Sequence, residues 1–183
     1  MIRLLDLFIS ITSVILLLPL LLVICVIGLF DTGKPIFIQK RLGRNHEIFN
    51  LIKFRTMSLN TVSVGTHEVH PSAITSLGKF LRKSKIDELP QLINVIIGDM
   101  SLVGPRPCLP TQDKVIKARD TKNVFSVRPG VTGLAQINKI DMSTPILLAS
   151  TDNDMITNYS IKSYFYYIVL TIMGRGGGDR VKE

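Results

Sequence analysis

The chain has 183 residues, with 22 Lys and Arg against 14 Asp and Glu for a formal net charge of +8, and 46% of its residues are hydrophobic. Its mean hydropathy is +0.32, so disorder of the whole chain is excluded, because disordered proteins combine their net charge with few apolar residues. The two cysteines, one of them in an apolar run, exclude a disulfide scaffold and a cysteine-based zinc site, and indicate a reducing compartment.

The first predicted element is an uncharged run from Leu7 to Phe30. A helix of this length would be about 36 Å long, enough to cross a hydrocarbon core of ~30 Å. Residues 1–32 are therefore predicted to form a membrane anchor. A cleaved signal peptide is disfavoured, because the run exceeds a typical signal h-region and lacks a cleavage site between small residues.

The charges that flank this anchor bear on its topology. Arg3 precedes it and Lys34 follows it, so the positive-inside rule would keep both flanks in the cytoplasm. Pro19 lies at the middle of the run, where it would kink a helix. A re-entrant helix, broken near Pro19, satisfies both observations. A kinked helix that spans the membrane is the alternative, since proline is tolerated in such helices.

The region after the anchor is predicted to begin with a β-hairpin. Its strand-like runs are residues 35–39 and 48–54, and Gly43-Arg44-Asn45 between them is a turn signal. The polar residues 58–72 are predicted to form a loop. We do not expect a metal site at His67-Glu-Val-His70 within it, because that spacing is not a metalloprotease motif. A short basic helix is predicted over residues 76–83.

Residues 85–98 carry the most informative pattern. Their apolar residues follow the spacing of one helix face, and Gly98 is a natural stop. Pro90 is tolerated only in a first turn, which predicts that the helix begins near Asp87. Asp87 and Glu88 point in different directions and suit two roles around one phosphate, nucleophile and metal ligand. A purely structural N-cap Asp followed by a first-turn Glu is the commoner explanation of the pair taken alone.

Basic residues in stiff turns strengthen the functional interpretation. Arg106 and Arg128 each lie in a turn rich in Pro and Gly, which would hold a guanidinium fork for phosphate at low entropic cost. Together with Lys53, Arg55 and Arg82, these residues predict a polyanionic substrate at the bilayer interface.

Four motifs, in this order, resemble the bacterial sugar transferase family, the monotopic phosphoglycosyl transferases that initiate glycan assembly on undecaprenyl phosphate. They are Lys53-Phe-Arg-Thr-Met57, Asp87-Glu-Leu-Pro-Gln-Leu-Ile-Asn-Val95, Gly98-Asp-Met-Ser-Leu-Val-Gly-Pro-Arg-Pro107 and Arg128-Pro-Gly-Val-Thr-Gly-Leu-Ala-Gln-Ile-Asn138. The similarity extends from the anchor to Asn138 and less distinctly to Met173. It is closest to the small, minimal form of the family.

The resemblance implies a two-step reaction at the cytoplasmic face of the bacterial inner membrane. Asp87 would attack the sugar-bearing phosphate of a UDP-sugar, and undecaprenyl phosphate would then take the phosphosugar. Mg²⁺ is the implied cofactor, with Glu88 as its ligand. Arg82, Arg106 and Arg128 are the implied phosphate contacts, with Lys53 and Arg55 as further candidates.

The resemblance and the sequence pattern together predict an α+β fold, mostly helical with a small β-hairpin or sheet. Its re-entrant helix would be broken at Leu18-Pro19, where the family has Ser-Pro. Residues 33–173 would form the catalytic domain, which faces membrane lipid, and residues 174–183 a flexible tail. The chain departs from the family at Leu134, where Trp is usual, and at Asn138-Lys139, where Asn-Gly-Arg is typical. The sugar is therefore not implied.

Some alternatives stay open at this point. Asp99 is expected to cap a turn rather than to bind metal. Residues 161–172 repeat with helical spacing, typical both of an interfacial helix and of a helix that covers a core. A homo-oligomer is compatible with the sequence. A nucleic-acid partner is not expected, because the basic stretches lack interleaved aromatic residues and the chain has no Trp. Besides the transferase and a membrane-tethered nucleic-acid binder, a catalytically silent scaffold of a glycan assembly complex is the third functional hypothesis.

Overall fold

A computed structural model describes residues 1–59, 61 and 71–176 of the chain. Seven α-helices and four short strands are present among these residues. In chain order they are α1 (Ile2–Thr32), β1 (Ile36–Leu42), β2 (Ile48–Phe54), α2 (Ser76–Ser84), α3 (Gln91–Ile97), β3 (Ser101–Val103), α4 (Asp113–Asp120), β4 (Gly130–Thr132), α5 (Leu134–Ile137), α6 (Pro145–Thr157) and α7 (Ile161–Ile172). The predicted α+β class, mostly helical with a small hairpin, is confirmed.

Helix α1 contains all of the apolar run, and by length and composition it is the one helix among the described residues that could cross a membrane. It continues through Pro19 as one helix, so the predicted break at Leu18-Pro19 is wrong as an interruption of the helix, because proline removes a single N–H from the backbone ladder and the bonds around it remain. The buried residues of α1 are Asp6, Ser10, Ile24 and Gly28. The intervals between them correspond to nearly whole helical turns, which places these residues along one face of the helix. The helix therefore lies with one side against the rest of the protein, while the other sides expose apolar residues.

Polar contacts attach the start of α1 to the folded domain. The Asp6 carboxylate accepts hydrogen bonds from Ser101 Oγ at 2.8 Å, the Leu102 amide at 3.0 Å and the Tyr164 hydroxyl at 3.0 Å. Arg3 donates to the carbonyl oxygens of residues 95 and 96 at the end of α3, at 2.7 and 3.1 Å. These bonds satisfy polar groups that would be costly to bury alone.

The predicted hairpin is confirmed. Strands β1 and β2 are antiparallel, with Ile36 opposite Phe54 and Leu42 opposite Ile48. Asn45 in the connecting turn has a φ of 53°, a left-handed conformation that Asn tolerates better than most residues. A second sheet pairs β3 with β4 in parallel. Gly130 allows this close approach, because a Cβ there would collide with the backbone of Gly104.

The main hydrophobic core lies between the hairpin, α3, β3, α6 and α7. Its buried residues are Phe49, Leu51, Leu92, Val95, Met100, Leu102, Val103, Met155, Tyr164 and Tyr167. Helix α7 covers this core with one face, as one of the two alternatives predicted. Its opposite side exposes apolar residues, including Val169 and Ile172, which are 50% and 79% exposed.

The end of α7 differs from the expected flexible tail. Gly174 adopts a φ of 82°, its amide donates to Thr171, and the Arg175 amide donates to Leu170. This is a Schellman motif, which stabilises the end of a helix by satisfying its last carbonyl groups. Residues 174–176 thus form an ordered turn, while the remainder of the predicted tail and the His67 to His70 motif lie outside the described residues.

Candidate active site

Asp87 and Glu88 lie on a 3₁₀ turn, Ile86–Glu88, between α2 and α3. The prediction of an α-helix beginning near Asp87 is wrong in this detail, since α3 begins at Gln91. The reason is Pro90, which has no N–H to continue an α-helical ladder from the turn. Lys85 precedes the turn with a φ of 58°, a left-handed conformation that ends α2.

The turn is fixed by an apolar anchor. Ile86 packs against a buried cluster that includes Phe54 at the end of β2 and Leu81 of α2. With Ile86 directed into this cluster, the next residue, Asp87, is held in place at 5% exposure. Burial of this kind limits the access of water to a carboxylate, which favours its use as a nucleophile.

Glu88 forms an ion pair with Arg106. The Arg106 Nη2 atom donates to Glu88 Oε1 at 2.9 Å, and the two side chains are 21% and 12% exposed. The pair joins the Ile86–Glu88 turn to the chain segment that follows β3. Two residues that the sequence assigned separately, one as a metal ligand and one as a phosphate contact, are therefore in direct contact.

Lys53 in β2 and Arg55, which follows that strand, both lie near one aromatic ring. The Lys53 Nζ atom is 5.6 Å and the Arg55 guanidinium carbon 5.2 Å from the centre of the Phe37 ring, both within cation–π range. Arg55 Nε also donates to the carbonyl of Lys34 at 2.9 Å. Arg55 is thus attached to the chain just beyond α1, while β2 itself packs against the turn that carries Asp87.

The remaining predicted phosphate contacts are at the two ends of the site. Arg82 is partly buried in the last turn of α2, three residues before Lys85. Arg128 Nε donates to the carbonyl of Gly98 at 2.8 Å, at the end of α3 farther from Asp87. Because α3 has seven residues and rises about 1.5 Å per residue, Arg128 is attached at a distance of about 10 Å along the helix from the turn.

Asp99 also lies at that far end of α3. Its carboxylate accepts a hydrogen bond from Asn94 Nδ2 at 3.1 Å. Asn94 in turn exchanges hydrogen bonds with β2, from the Ile52 amide at 3.0 Å and to the Asn50 carbonyl at 2.8 Å. Asp99 therefore takes part in joining α3 to the hairpin.

Lys85 is a site residue that the sequence did not single out. Its Nζ atom donates to the carbonyl of Arg175 at 2.7 Å, so the turn after α7 lies over the entry to the Ile86–Glu88 turn. Burial lowers the pKa of Lys85, Glu88 opposes this, and Arg106 adds to it. In the sequence it looked like one more residue of a solvated basic run.

The resemblance also implied a Mg²⁺ ion at this turn. Within residues 1–59, 61 and 71–176, no three His, Cys, Asp or Glu side chains are grouped as a potential metal site. Mg²⁺ often binds through one or two carboxylates and completes its shell with substrate phosphates and water. Glu88, the ligand that the resemblance implies, is compatible with that pattern as a single protein carboxylate beside substrate phosphates.

Comparison with known proteins shows what this chain is similar to. The family model described as bacterial sugar transferase matches residues 1–175. The galactosyl transferase CpsE of Streptococcus agalactiae serotype III (strain NEM316) is 41% identical over 157 residues, which are 78% of this chain and 34% of that protein. The exopolysaccharide production protein ExoY of Sinorhizobium fredii (strain NBRC 101917 / NGR234) is 33% identical over 190 residues, covering 91% of this chain and 81% of ExoY.

A further relative is named for its activity. The UDP-N-acetylgalactosamine-undecaprenyl-phosphate N-acetylgalactosaminephosphotransferase of Aeromonas hydrophila is 35% identical over 171 residues, or 89% of this chain and 38% of that protein. The chain spans about a third of the length of CpsE and of this Aeromonas enzyme. The similarity therefore concerns one part of those longer proteins, and most of ExoY.

Proposed function

This chain belongs to the bacterial sugar transferase family, and from that premise we propose that it transfers a phosphosugar from a UDP-sugar to undecaprenyl phosphate. The products are undecaprenyl-diphosphate sugar and UMP, and the reaction begins the assembly of a surface glycan or a glycoprotein glycan. The observation that carries the proposal is the buried Asp87 beside the Glu88–Arg106 ion pair. The name of the Aeromonas relative supports the same substrates.

In the first step, an oxygen of the Asp87 carboxylate attacks the phosphorus that bears the sugar. The bond from this phosphorus to the bridging oxygen breaks, and UMP leaves with the electron pair. In the second step, an oxygen of undecaprenyl phosphate attacks the same phosphorus and releases the Asp87 carboxylate. Dividing a difficult substitution into two easier ones is the general advantage of a covalent nucleophile.

The neighbours of Asp87 would stabilise the charge that this chemistry develops. Arg106 presents a guanidinium whose planar fork suits phosphate oxygens, and Arg82, Arg128, Lys53 and Arg55 are proposed to extend this positive surface. Mg²⁺, when bound at Glu88, would neutralise the diphosphate of the donor. Glu88 would exchange part of its ion pair with Arg106 for these contacts once the substrate is present.

The position of α1 supports a reaction at the membrane. Near its start, Asp6 is bonded to β3 and α7, and near its end, Ile24 packs against Phe54 and Leu81. Because both ends of α1 contact one domain, we propose that they lie on one side of the bilayer, the cytoplasmic side of the inner membrane. An anionic cytoplasmic leaflet also attracts a chain of net charge +8.

The proposal is tested by measuring UMP released from a panel of UDP-sugars in the presence of undecaprenyl phosphate and Mg²⁺. We expect release from at least one donor, and loss of release in Asp87→Asn. Asp99→Asn is the matched control, because it makes the same chemical change at the far end of α3. Folded protein that releases no UMP from any donor would support the silent scaffold instead, and undiminished release by Asp87→Asn would exclude Asp87 as the nucleophile.

A further inference from the structure

The segment Pro105–Cys108, between β3 and α4, is held by an unusual set of hydrogen bonds. It has no regular secondary structure, yet each of its four carbonyl oxygens accepts a bond from another part of the chain. The donors, in order, are the Gly130 amide at 2.9 Å, Arg119 Nη1 at 2.8 Å, Arg41 Nη1 at 3.0 Å and the Leu42 amide at 2.9 Å. The segment is therefore fixed from β4, α4 and β1 at once.

Two of these donors are buried arginines. Arg119 is 1% exposed and Arg41 is 6% exposed. Arg119 is itself held by Asp152 of α6, to whose Oδ2 atom its Nε and Nη2 atoms donate at 3.0 and 2.7 Å. Arg41 donates its Nη2 to Gln39 Oε1 at 2.7 Å. Buried ionic groups of this kind rarely add stability over a well-packed apolar core. Their role is therefore better sought in the groups that they hold in place.

The residue that they position is Arg106. Pro105 and Pro107 flank it, so its backbone is restricted to extended conformations. Arg119 and Arg41 donate to the carbonyls of residues 106 and 107, which belong to the two consecutive peptide groups that follow the Arg106 Cα atom. With the backbone fixed in this way, the Arg106 side chain reaches Glu88.

We propose that Arg119 and Arg41 are positioning residues that hold Arg106 against Glu88. Neither would touch substrate, and both act through the Pro105–Cys108 segment. The inference deepens the proposed function, on which its kinetic consequence rests. The geometric part, the dependence of the Arg106–Glu88 ion pair on Arg119 and Arg41, concerns the folded protein alone.

The first experiment is a thermal unfolding cycle in detergent, which needs no substrate. Arg119→Lys keeps a positive charge beside Asp152 but lacks the planar fork that bonds Asp152 and the Arg106 carbonyl together. We expect Glu88→Gln to lower the unfolding midpoint of the parent chain. In the Arg119→Lys background, the same change should lower the midpoint by less than about half that amount. Arg3→Lys is the matched control, since Arg3 also donates to carbonyls but does not touch the Pro105–Cys108 segment; there the two effects should add.

Arg41→Lys tests the same dependence from the other side, and serves if Arg119→Lys does not fold. Effects of Glu88→Gln that add in both lysine variants would overturn the proposal, because the two arginines would then be ordinary core residues. Non-additivity in the Arg3→Lys control would overturn it as well, since the coupling would not depend on the segment.

The second experiment measures kcat and KM for UMP release. We expect Arg119→Lys to lower kcat at least about tenfold in the parent chain, but less than about twofold in an Arg106→Ala background. An equal loss in both backgrounds would contradict positioning through Arg106. If the parent chain releases no UMP at all, the proposed function fails while the unfolding cycle still decides whether the arginines position Arg106.

Discussion

The Arg106 guanidinium and the Glu88 carboxylate, 18 residues apart in the chain, meet at 2.9 Å beside the buried Asp87. The contact places the charge of Arg106 at the turn that carries Asp87, the residue proposed to attack phosphorus, before any substrate is present. Charge arranged in advance costs no reorganisation during the reaction, which is the main advantage of a preorganised site.

The ion pair leads to a prediction about the shape of the cation. Arg106→Lys keeps the charge but loses the planar fork, so we expect UMP release to fall at least about tenfold. Initial rates at saturating donor measure the effect. Arg44→Lys, the same change at an exposed residue of the hairpin turn, should leave the rate unchanged. Full activity in Arg106→Lys would show that a point charge suffices there.

A second prediction concerns the attachment of α1. Asp6→Ala leaves the Ser101 hydroxyl, the Leu102 amide and the Tyr164 hydroxyl without their acceptor. We expect the free energy of unfolding to fall by about 3 kcal/mol or more, because buried polar groups lose bonds to a charged partner. Asp31→Ala, at an exposed position of the same helix, should have little effect. Equal losses in the two variants, measured by unfolding in detergent, would contradict this account.

Lys85 leads to a prediction about pH. Burial lowers its pKa from 10.5, so there is a window below 10.5 in which the folded state has released this proton and the unfolded state has not. Stability should rise with pH across that window. Unfolding midpoints measured up to pH 10 should therefore rise more, or fall less, with pH in the parent than in Lys85→Met. The comparison between the two is needed because burial raises the pKa values of Cys108 and Tyr164 above their usual 9.0 and 10.0, which lowers stability as pH rises toward and beyond those values.

The control for this experiment is Lys83→Met, which replaces an exposed lysine in the last turn of α2, two residues before Lys85. It should keep the pH dependence of the parent. A parent and a Lys85→Met variant with identical pH profiles would show that Lys85 titrates alike in the folded and unfolded states.

The topology of α1 is tested by labelling from outside the cell. Single cysteines replace Leu4 and Lys34, which are exposed near the two ends of the helix. We expect neither to react with a membrane-impermeant maleimide in intact cells, and both to react after the inner membrane is opened. The parent chain controls for Cys25, which is partly buried, and for Cys108, which is buried. Reaction of one site in intact cells would indicate a helix that spans the membrane.

Much of the fold follows from local signals in the sequence. The hairpin, α2 and the end of α3 at Gly98 were predicted because turn residues and helical periodicity act over a few neighbours. The start of α3 was misplaced, since Pro90 permits both a first-turn and a preceding-turn position. Asp87 and Glu88 were found from their position before an amphipathic helix and from the family motifs.

The buried polar network could not be predicted in this way. Arg119 bonds Asp152 across 33 residues, and Asp6 bonds Tyr164 across 158. Arg119, Asp152 and Asp6 look like surface residues in the sequence, because no local pattern marks a charged group whose partner is distant. Arg128 was singled out in the sequence as a phosphate contact. The structure adds a second role that the sequence did not indicate, a hydrogen bond to the Gly98 carbonyl.

The covalent step is tested most directly by intact-mass measurement of the chain mixed with its UDP-sugar and Mg²⁺ in the absence of undecaprenyl phosphate. We expect an added mass of one phosphosugar, mapped by peptide fragmentation to Asp87 and removed when undecaprenyl phosphate is supplied. The same treatment of Asp87→Asn should add nothing. Release of UMP to undecaprenyl phosphate without any adduct, or an adduct on another residue, would contradict the proposed role of Asp87.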